Sequence, residues 1–202
     1  MINIKVSGIT EVKQLNQLDG LGIDYAGFIF FKDSPLCITG KLKPEALKNA
    51  DLEIKKVGIF NNPEMIEVLD AIDEYSLDVV ELNGNESPEM CEDLSSAVEV
   101  IKTFQIAKGG ISIDELVEPY DDACDYYQFE GKGRSFDWSL LKKGRIEKPF
   151  FLCGGIGPGD IKKIKSFSHP DFFGVDINEK FEKTSGVKDM VAVLQFKQGM
   201  KK

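Results

Sequence analysis

The sequence contains few cysteines, and they are widely separated. None of them forms the close pairs that are typical of zinc sites. Four cysteines in 202 residues are also too sparse for a fold held together by disulfides. We therefore expect free thiols, most of them buried, because free cysteine is among the most buried residue types. The four are Cys37, Cys91, Cys124 and Cys153.

Long apolar segments are absent as well. No apolar stretch approaches the roughly 20 residues that a membrane-spanning helix needs. Residues 1–6 lack the basic region and apolar core that mark a signal peptide. We expect a cytoplasmic protein without a membrane partner.

The chain has fewer basic residues than acidic ones. The chain has 25 Lys and Arg residues against 34 Asp and Glu residues, a net charge of -9. This balance opposes non-specific attraction to nucleic acid, which we exclude as a partner. An anionic ligand would therefore need a locally positive pocket. The hydrophobic fraction of 42% is ordinary for a globular protein, and no low-complexity linker interrupts the chain, so we expect one domain over residues 1–202.

Short β-branched or aromatic runs alternate with helical patterns along the chain. Strands separated by single helices pair in parallel, and eight such units close a (β/α)8, or TIM, barrel; an open doubly wound sheet is the main alternative. The count of eight favours a compact single-domain TIM barrel of the α/β class. The predicted strands are 2–6, 25–31, 56–60, 78–82, 99–104, 125–129, 149–153 and 172–176.

Two helix starts are readable from capping signals. Residues 63–75 have helical periodicity, with Pro63 at the first position and Asn61 or Asn62 as the cap. Ser87 and Pro88 repeat the signal for a second helix.

Glycine-bearing and polar turns follow the last two predicted strands. Gly154 and Gly155 end the seventh strand just before a helix, and the eighth ends in Asp176, Ile177 and Asn178. Barrels commonly bind phosphate after these two strands, where backbone N–H groups can approach an anion. We therefore expect a small phosphorylated, sugar-type ligand at Gly154, Gly155, Asp176 and Asn178.

Eight short motifs occur in one order along nearly the whole chain. Through them the chain resembles the phosphoribosylanthranilate isomerase family of tryptophan biosynthesis. The motifs are KVSGIT at residues 5–10, GFIF at 27–30, SP at 34–35, VGIFNNP at 57–63, LNGNESP at 82–88, FDW at 136–138, CGGI at 153–156 and GVKD at 186–189.

The resemblance implies an Amadori rearrangement, which turns an aminoaldose into an aminoketose without a cofactor or a metal. A general acid protonates the ribose ring oxygen and a general base removes the proton from C2', so the site needs two groups of opposite protonation. The family places a cysteine base in its first-strand motif and an aspartate acid at the end of its sixth strand.

Both catalytic positions are altered in this chain. Ser7 replaces the cysteine, and a serine hydroxyl needs a neighbouring base, such as water or an unidentified carboxylate. His169 is the only histidine and is predicted at the opposite end of the barrel, so Ser7 is either a weak base or a hydroxyl bonded to backbone or ligand. Glu130 aligns with the aspartate acid, whereas a shifted alignment puts Gln128 there and leaves no acid.

Three further positions bear on the substrate. Leu36 replaces an arginine that pairs with the anthranilate carboxylate in the family, and Asn83 replaces a histidine that can carry a proton. Gly133, in the loop after the sixth strand, is expected to contact substrate or phosphate.

Two functions remain open from the sequence. The first is a working isomerase with Glu130 as acid and Ser7 as base, which the family favours. The second is a diverged barrel that binds a phosphorylated metabolite with isomerase activity weak, changed or lost. The oligomeric state is either a monomer or a homodimer, as in the family.

Overall fold

The computed structural model describes residues 2–50, 52–107, 112–131 and 136–201. Eight parallel strands follow one another around a closed barrel, in which β1 pairs with both β2 and β8. The predicted TIM barrel is confirmed. Its strands are β1 Asn3–Ser7, β2 Tyr25–Ile29, β3 Lys55–Phe60, β4 Val79–Leu82, β5 Glu99–Gln105, β6 Tyr126–Glu130, β7 Phe150–Cys153 and β8 Phe172–Ile177.

Helices connect the strands on the outside of the barrel, and a short antiparallel hairpin follows β8. Across the described ranges, no helix is long and apolar enough to cross a membrane. The α-helices are α1 Val12–Gly20, α2 Pro44–Lys48, α3 Met65–Tyr75, α4 Pro88–Ser95, α5 Ile113–Val117, α6 Ile161–Ser166 and α7 Met190–Lys201. Single 3-10 turns span Glu118–Tyr120, Trp138–Lys143, Pro158–Asp160 and Glu179–Phe181, and the hairpin consists of β9 Glu182–Thr184 and β10 Val187–Lys188.

The two predicted helix starts have different outcomes. Helix α4 begins as expected, with Pro88 at its first position and the Ser87 hydroxyl accepting from the Met90 N–H at 3.3 Å. The start predicted for α3 at residue 63 is wrong. The helix begins at Met65, because Glu64 caps it in a reciprocal pair of hydrogen bonds with Glu67.

Asn62, expected as a possible cap, links two loops instead. Its backbone has a left-handed φ of 49°, and its Oδ1 accepts from the Asn85 N–H at 2.7 Å. The loop after β3 is therefore bonded to the loop after β4, at the end of the barrel where the strands terminate.

The barrel interior is filled by apolar side chains in its lower half. Phe151 contacts Tyr25 edge-on with ring centroids 5.4 Å apart, and it contacts Phe173 at 5.2 Å. Inside the barrel, the space open to a ligand therefore lies above these rings, at the carboxyl ends of the strands. The buried members of this inner cluster are Tyr25, Ile29, Val57, Ile59, Val79, Ile101 and Phe151.

A buried ion pair outside the barrel organises the loops above β3 and β4. Lys102 Nζ lies 2.7 Å from Glu86 Oε2, and the two side chains are 3% and 1% exposed. Glu86 Oε1 accepts from the backbone N–H of Asn62 at 2.8 Å and of Gly84 at 3.0 Å. The Glu86 carboxylate thus holds both loops while Lys102 neutralises it.

We expect Lys102→Met to lower the free energy of unfolding by about 3–5 kcal/mol, because it leaves the Glu86 carboxylate buried without a counter-charge. The matched control is Lys55→Met. Lys55 pairs with Glu99 at 2.7 Å but with side chains 40% and 37% exposed, so a loss of at most about 1 kcal/mol is expected there. Urea denaturation measures both, and equal losses would contradict the expectation.

Candidate active site

A cavity of about 210 Å³ opens at the carboxyl ends of the barrel strands. Most of the residues singled out from the sequence meet there, although they come from five different strand ends or loops. Leu36 is not among the lining residues, and Gly133 lies outside the described residues. The predicted residues that line the cavity are Ser7, Asn83, Gln128, Glu130, Gly154, Gly155, Asp176 and Asn178.

Ser7 at the end of β1 is paired with a carboxylate. Its hydroxyl donates to Asp176 Oδ1 at 2.7 Å, and both residues are buried. The sequence grouped Asp176 with the phosphate-binding residues, and in the structure its side chain lies against Ser7. A carboxylate repels phosphate, and here it accepts from the hydroxyl that lacked an activating base in the sequence.

Lys5 lies directly beneath this pair and is fully buried. Its Nζ donates to Glu81 Oε2 and to Gln128 Oε1, the latter at 2.7 Å, and lies 3.4 Å from Asp176 Oδ2. Burial by itself would lower the pKa of Lys5, but the nearby carboxylates of Asp176 and Glu81 raise the pKa above its usual value. The ammonium therefore stays charged in the barrel interior.

Glu81 is the second carboxyl group of this buried cluster. Its Oε1 accepts from Gln128 Nε2 at 2.8 Å, while its Oε2 accepts from Lys5. Burial raises the pKa of Glu81, and the neighbouring charge of Asp176 adds to the rise, against the opposing effect of Lys5.

Cys153, at the end of β7, also contacts Asp176. Its Sγ donates to Asp176 Oδ2 at 3.4 Å. Burial and the charges of Asp176 and Glu130 raise the pKa of the Cys153 thiol well above its usual value. The group is therefore a thiol that donates, not a thiolate that accepts. All four cysteines are free, as expected, and three of them are buried.

The structure separates the two candidates for the general acid. Gln128 is buried and fully engaged with Lys5 and Glu81. Glu130 is half-buried at the cavity rim, where its Oε2 accepts from Gln105 Nε2 at 2.5 Å. Of the two, Glu130 is the one that brings a carboxyl group to the cavity.

The two substituted binding positions differ in their surroundings. Asn83 Oδ1 is buried and has no hydrogen-bond partner within the described part of the chain, so a ligand donor would satisfy it. Leu36 is partly buried and packs against the inner apolar cluster. Neither charge nor a donor is present on that side chain to hold a carboxylate.

The glycine turn after β7 has a left-handed backbone conformation, which its two adjacent glycines allow. Gly154 and Gly155 have φ values of 90° and 66°, which side-chain-bearing residues rarely adopt. Lys180 Nζ donates to the Gly155 carbonyl, joining this turn to the one after β8. Asn178 Oδ1 accepts from the buried Lys188 Nζ at 2.5 Å. The two predicted anion turns are thus adjacent.

His169 lies in the loop before β8, at the opposite end of the barrel from Ser7, as expected. Lys5, Glu81 and Cys153 are the functional residues that sequence reasoning missed. The sequence pattern that could have identified them is the alternation of side chains along a strand, in which every second residue faces the same side. Lys5 is two residues before Ser7, and Glu81 is two before Asn83, so each pair faces the barrel interior together.

The fold and the site together define a TIM-barrel protein whose C-terminal mouth combines a carboxylate–hydroxyl pair, a second carboxyl group and a glycine turn. The model of the N-(5'-phosphoribosyl)anthranilate isomerase family matches residues 4–199, and the chain belongs to that family.

Individual relatives agree with the family match. The N-(5'-phosphoribosyl)anthranilate isomerase of Parabacteroides distasonis is 35% identical over 202 residues, which cover 96% of this chain and 90% of that protein. The phosphoribosylanthranilate isomerase of Thermotoga maritima has a similar crystal structure, with a TM-score of 0.82 at 25% identity, covering 100% of this chain and 99% of that one. A similar solved structure, that of a phosphoribosyl anthranilate isomerase in complex with reduced 1-(o-carboxyphenylamino)-1-deoxyribulose 5-phosphate, has a TM-score of 0.79 at 24% identity, covering 100% of this chain and 99% of that one.

We expect Asp176→Asn to speed alkylation of Cys153 by iodoacetamide at pH 8 by at least about threefold. Loss of the carboxylate charge lowers the pKa of the thiol, so a larger fraction is thiolate at a given pH. Peptide mass spectrometry of native protein, quenched at intervals, measures the rate. Asp171→Asn is the control, because Asp171 lies beside His169 at the far end of the barrel. Equal acceleration in both variants would contradict the expectation.

Proposed function

We propose that this chain catalyses the isomerisation of N-(5'-phosphoribosyl)anthranilate from aminoaldose to aminoketose, with Glu130 as general acid and Asp176, acting through Ser7, as general base. One observation carries the proposal. The Ser7–Asp176 hydrogen bond of 2.7 Å faces the same cavity as the Glu130 carboxyl group, so a proton donor and a proton acceptor flank one ligand site.

Glu130 begins the reaction by protonating the ribose ring oxygen. The bond between C1' and that oxygen breaks, its electron pair stays on the oxygen as a hydroxyl group, and the anilino nitrogen forms a double bond to C1'. The position of Glu130 at the rim suits this step, because a group that gives and regains a proton needs access to the substrate.

Asp176 then receives the proton from C2'. As the C2'–H bond breaks, Ser7 Oγ takes that proton and passes its own to Asp176 Oδ1. The C–H electron pair forms the C1'–C2' double bond, and the electrons of the C1'–N double bond return to nitrogen. The resulting enol becomes the ketone by proton transfer from C2' oxygen to C1'. The carboxylate supplies the base that a serine hydroxyl alone lacks.

Gly154, Gly155 and Asn178 are proposed to hold the phosphate. Their support is geometric, because the two turns lie side by side at the cavity and the glycine backbone can approach an anion closely. A similar fold binds a reduced deoxyribulose 5-phosphate compound. In the same proposal residues 1–202 form one domain, and the protein is cytoplasmic and binds no nucleic acid. Monomer and homodimer both remain predictions.

The family match over nearly the whole chain favours the isomerase over a diverged binding module. We expect this chain to restore growth of an isomerase-deficient tryptophan auxotroph without added tryptophan. Glu130→Gln removes the acid and is expected to abolish growth, while Tyr126→Phe, at the far end of the same strand and outside the cavity lining, is the control for damage to the strand.

A Ser7→Cys, Leu36→Arg double variant decides what a failure means. Growth only with the double variant would show that this chain has lost the reaction while its site can still perform it. Failure of both would point to a different phosphorylated ligand, and thermal shift with phosphorylated sugars would be the next measurement.

Asp176→Asn is expected to lower kcat by about 10²–10⁴-fold with a small change in KM, because it removes the proton acceptor but not the phosphate turns. Ser7→Ala is expected to cost less, since a water molecule can bridge to the remaining carboxylate. Glu179→Gln is the matched control. It removes the same charge just beyond the same strand from another cavity-lining residue, and less than about a twofold loss is expected. A comparable loss in this control would refute the role of Asp176.

A further inference from the structure

The buried cluster beneath the cavity contains one cation and two carboxyl groups from three strands. Lys5 comes from β1, Glu81 from β4 and Asp176 from β8. The side chains of Lys5 and Glu81 are 0% and 1% exposed, so water does not screen their charges. The Lys5 ammonium can pair with either carboxyl group, and its distances differ between the two.

Lys5 makes its hydrogen bonds to Glu81 and Gln128 and only a longer ion pair with Asp176. Its Nζ bonds to Glu81 Oε2 and, at 2.7 Å, to Gln128 Oε1, whereas Asp176 Oδ2 is 3.4 Å away and beyond a charge-assisted hydrogen bond of ordinary length. Gln128 in turn donates to Glu81 Oε1 at 2.8 Å. Glu81 and Gln128 therefore both accept from the Lys5 ammonium and are also hydrogen-bonded to each other.

This arrangement matters for a carboxylate that must accept a proton. A cation in direct contact stabilises the charged form of a carboxylate and makes it a weaker base. A buried carboxylate without any cation would instead be protonated too readily to act as a base at neutral pH. Lys5 Nζ, at 3.4 Å from Asp176 Oδ2, is near this carboxylate without the shorter contact of a charge-assisted hydrogen bond.

We propose that Glu81, with Gln128, holds the Lys5 ammonium back from Asp176 and so keeps the Asp176 carboxylate able to take up a proton. Glu81 is in this view a positioning residue, since it acts through Lys5. The inference rests on the proposed function, in which Asp176 is the base. Among the described residues, the charged and titratable groups around Asp176 are Lys5 of β1, Glu81 of β4, Cys153 of β7 and Lys188 of the hairpin, and Glu130 and Glu179 line the same cavity.

The first test is Glu81→Gln, which keeps the shape of the side chain and removes its charge. Lys5 is then free to pair with Asp176, the one remaining carboxylate of the cluster. We expect kcat to fall by about tenfold with KM within about twofold, and the acidic limb of the kcat profile to move to lower pH by about one unit.

The second test removes both partners as Lys5→Met, Glu81→Leu. Apolar replacement of a buried ion pair is compatible with folding, so this variant separates charge from stability. Asp176 is now left without its nearest cation, and the acidic limb is expected to move to higher pH. The matched control is Lys55→Met, Glu99→Leu, which removes a pair of opposite charges at the other end of the barrel and should leave the profile unchanged.

A readout without catalysis keeps this inference distinct from the proposed function. Carbon-13 labelling of aspartate carboxyl groups allows the Asp176 signal to be followed by NMR through a pH titration, with Asp176→Asn identifying the signal. The titration midpoint should move down in Glu81→Gln and up in the double variant. An unmodified chain without turnover would reject the proposed function alone. Midpoints that stay fixed, or that move in the same direction in both variants, would overturn the role of Glu81.

Discussion

The Lys5 ammonium is the buried charge around which the polar groups at the barrel mouth are arranged. It is fully buried, and a buried cation is tolerated only when acceptors and counter-charges surround it. Glu81, Gln128 and Asp176 meet that requirement from three other strands. The same contacts fix where Asp176 lies and, through its 2.7 Å hydrogen bond, where the Ser7 hydroxyl points. The need to neutralise a buried cation therefore also sets the positions of Asp176 and Ser7, which face the cavity.

The barrel was predictable because its determinants are local. Each strand is a short apolar or β-branched run whose type does not depend on its partners, and the order of eight parallel strands follows from the alternation with helices. The start of α3 was missed for a reason that is also local. Glu64 and Glu67 form a reciprocal cap, and this cap places the first turn after Pro63 instead of at it.

The candidate site was only half predictable. A strand end identified the glycine turn, because polar turns after buried strands meet at one edge of a parallel barrel, whereas Ser7 and Glu130 were identified through the family resemblance. The partner of Ser7 was not identified, since Asp176 is 169 residues away and reaches it only when β8 closes onto β1. A local pattern does not contain that pairing. Lys5 and Ser7 are two residues apart on one strand, so the sequence shows that their side chains face the barrel interior together. It does not show which groups they hydrogen-bond.

The charges around the cavity limit how an anionic substrate can be recognised. Among the described residues the lining contains four acidic side chains and no lysine or arginine. In the proposed phosphate site, the described lining therefore attracts an anion through backbone N–H groups at the glycine turn and not through a cationic side chain. Such recognition depends on backbone shape more than on charge.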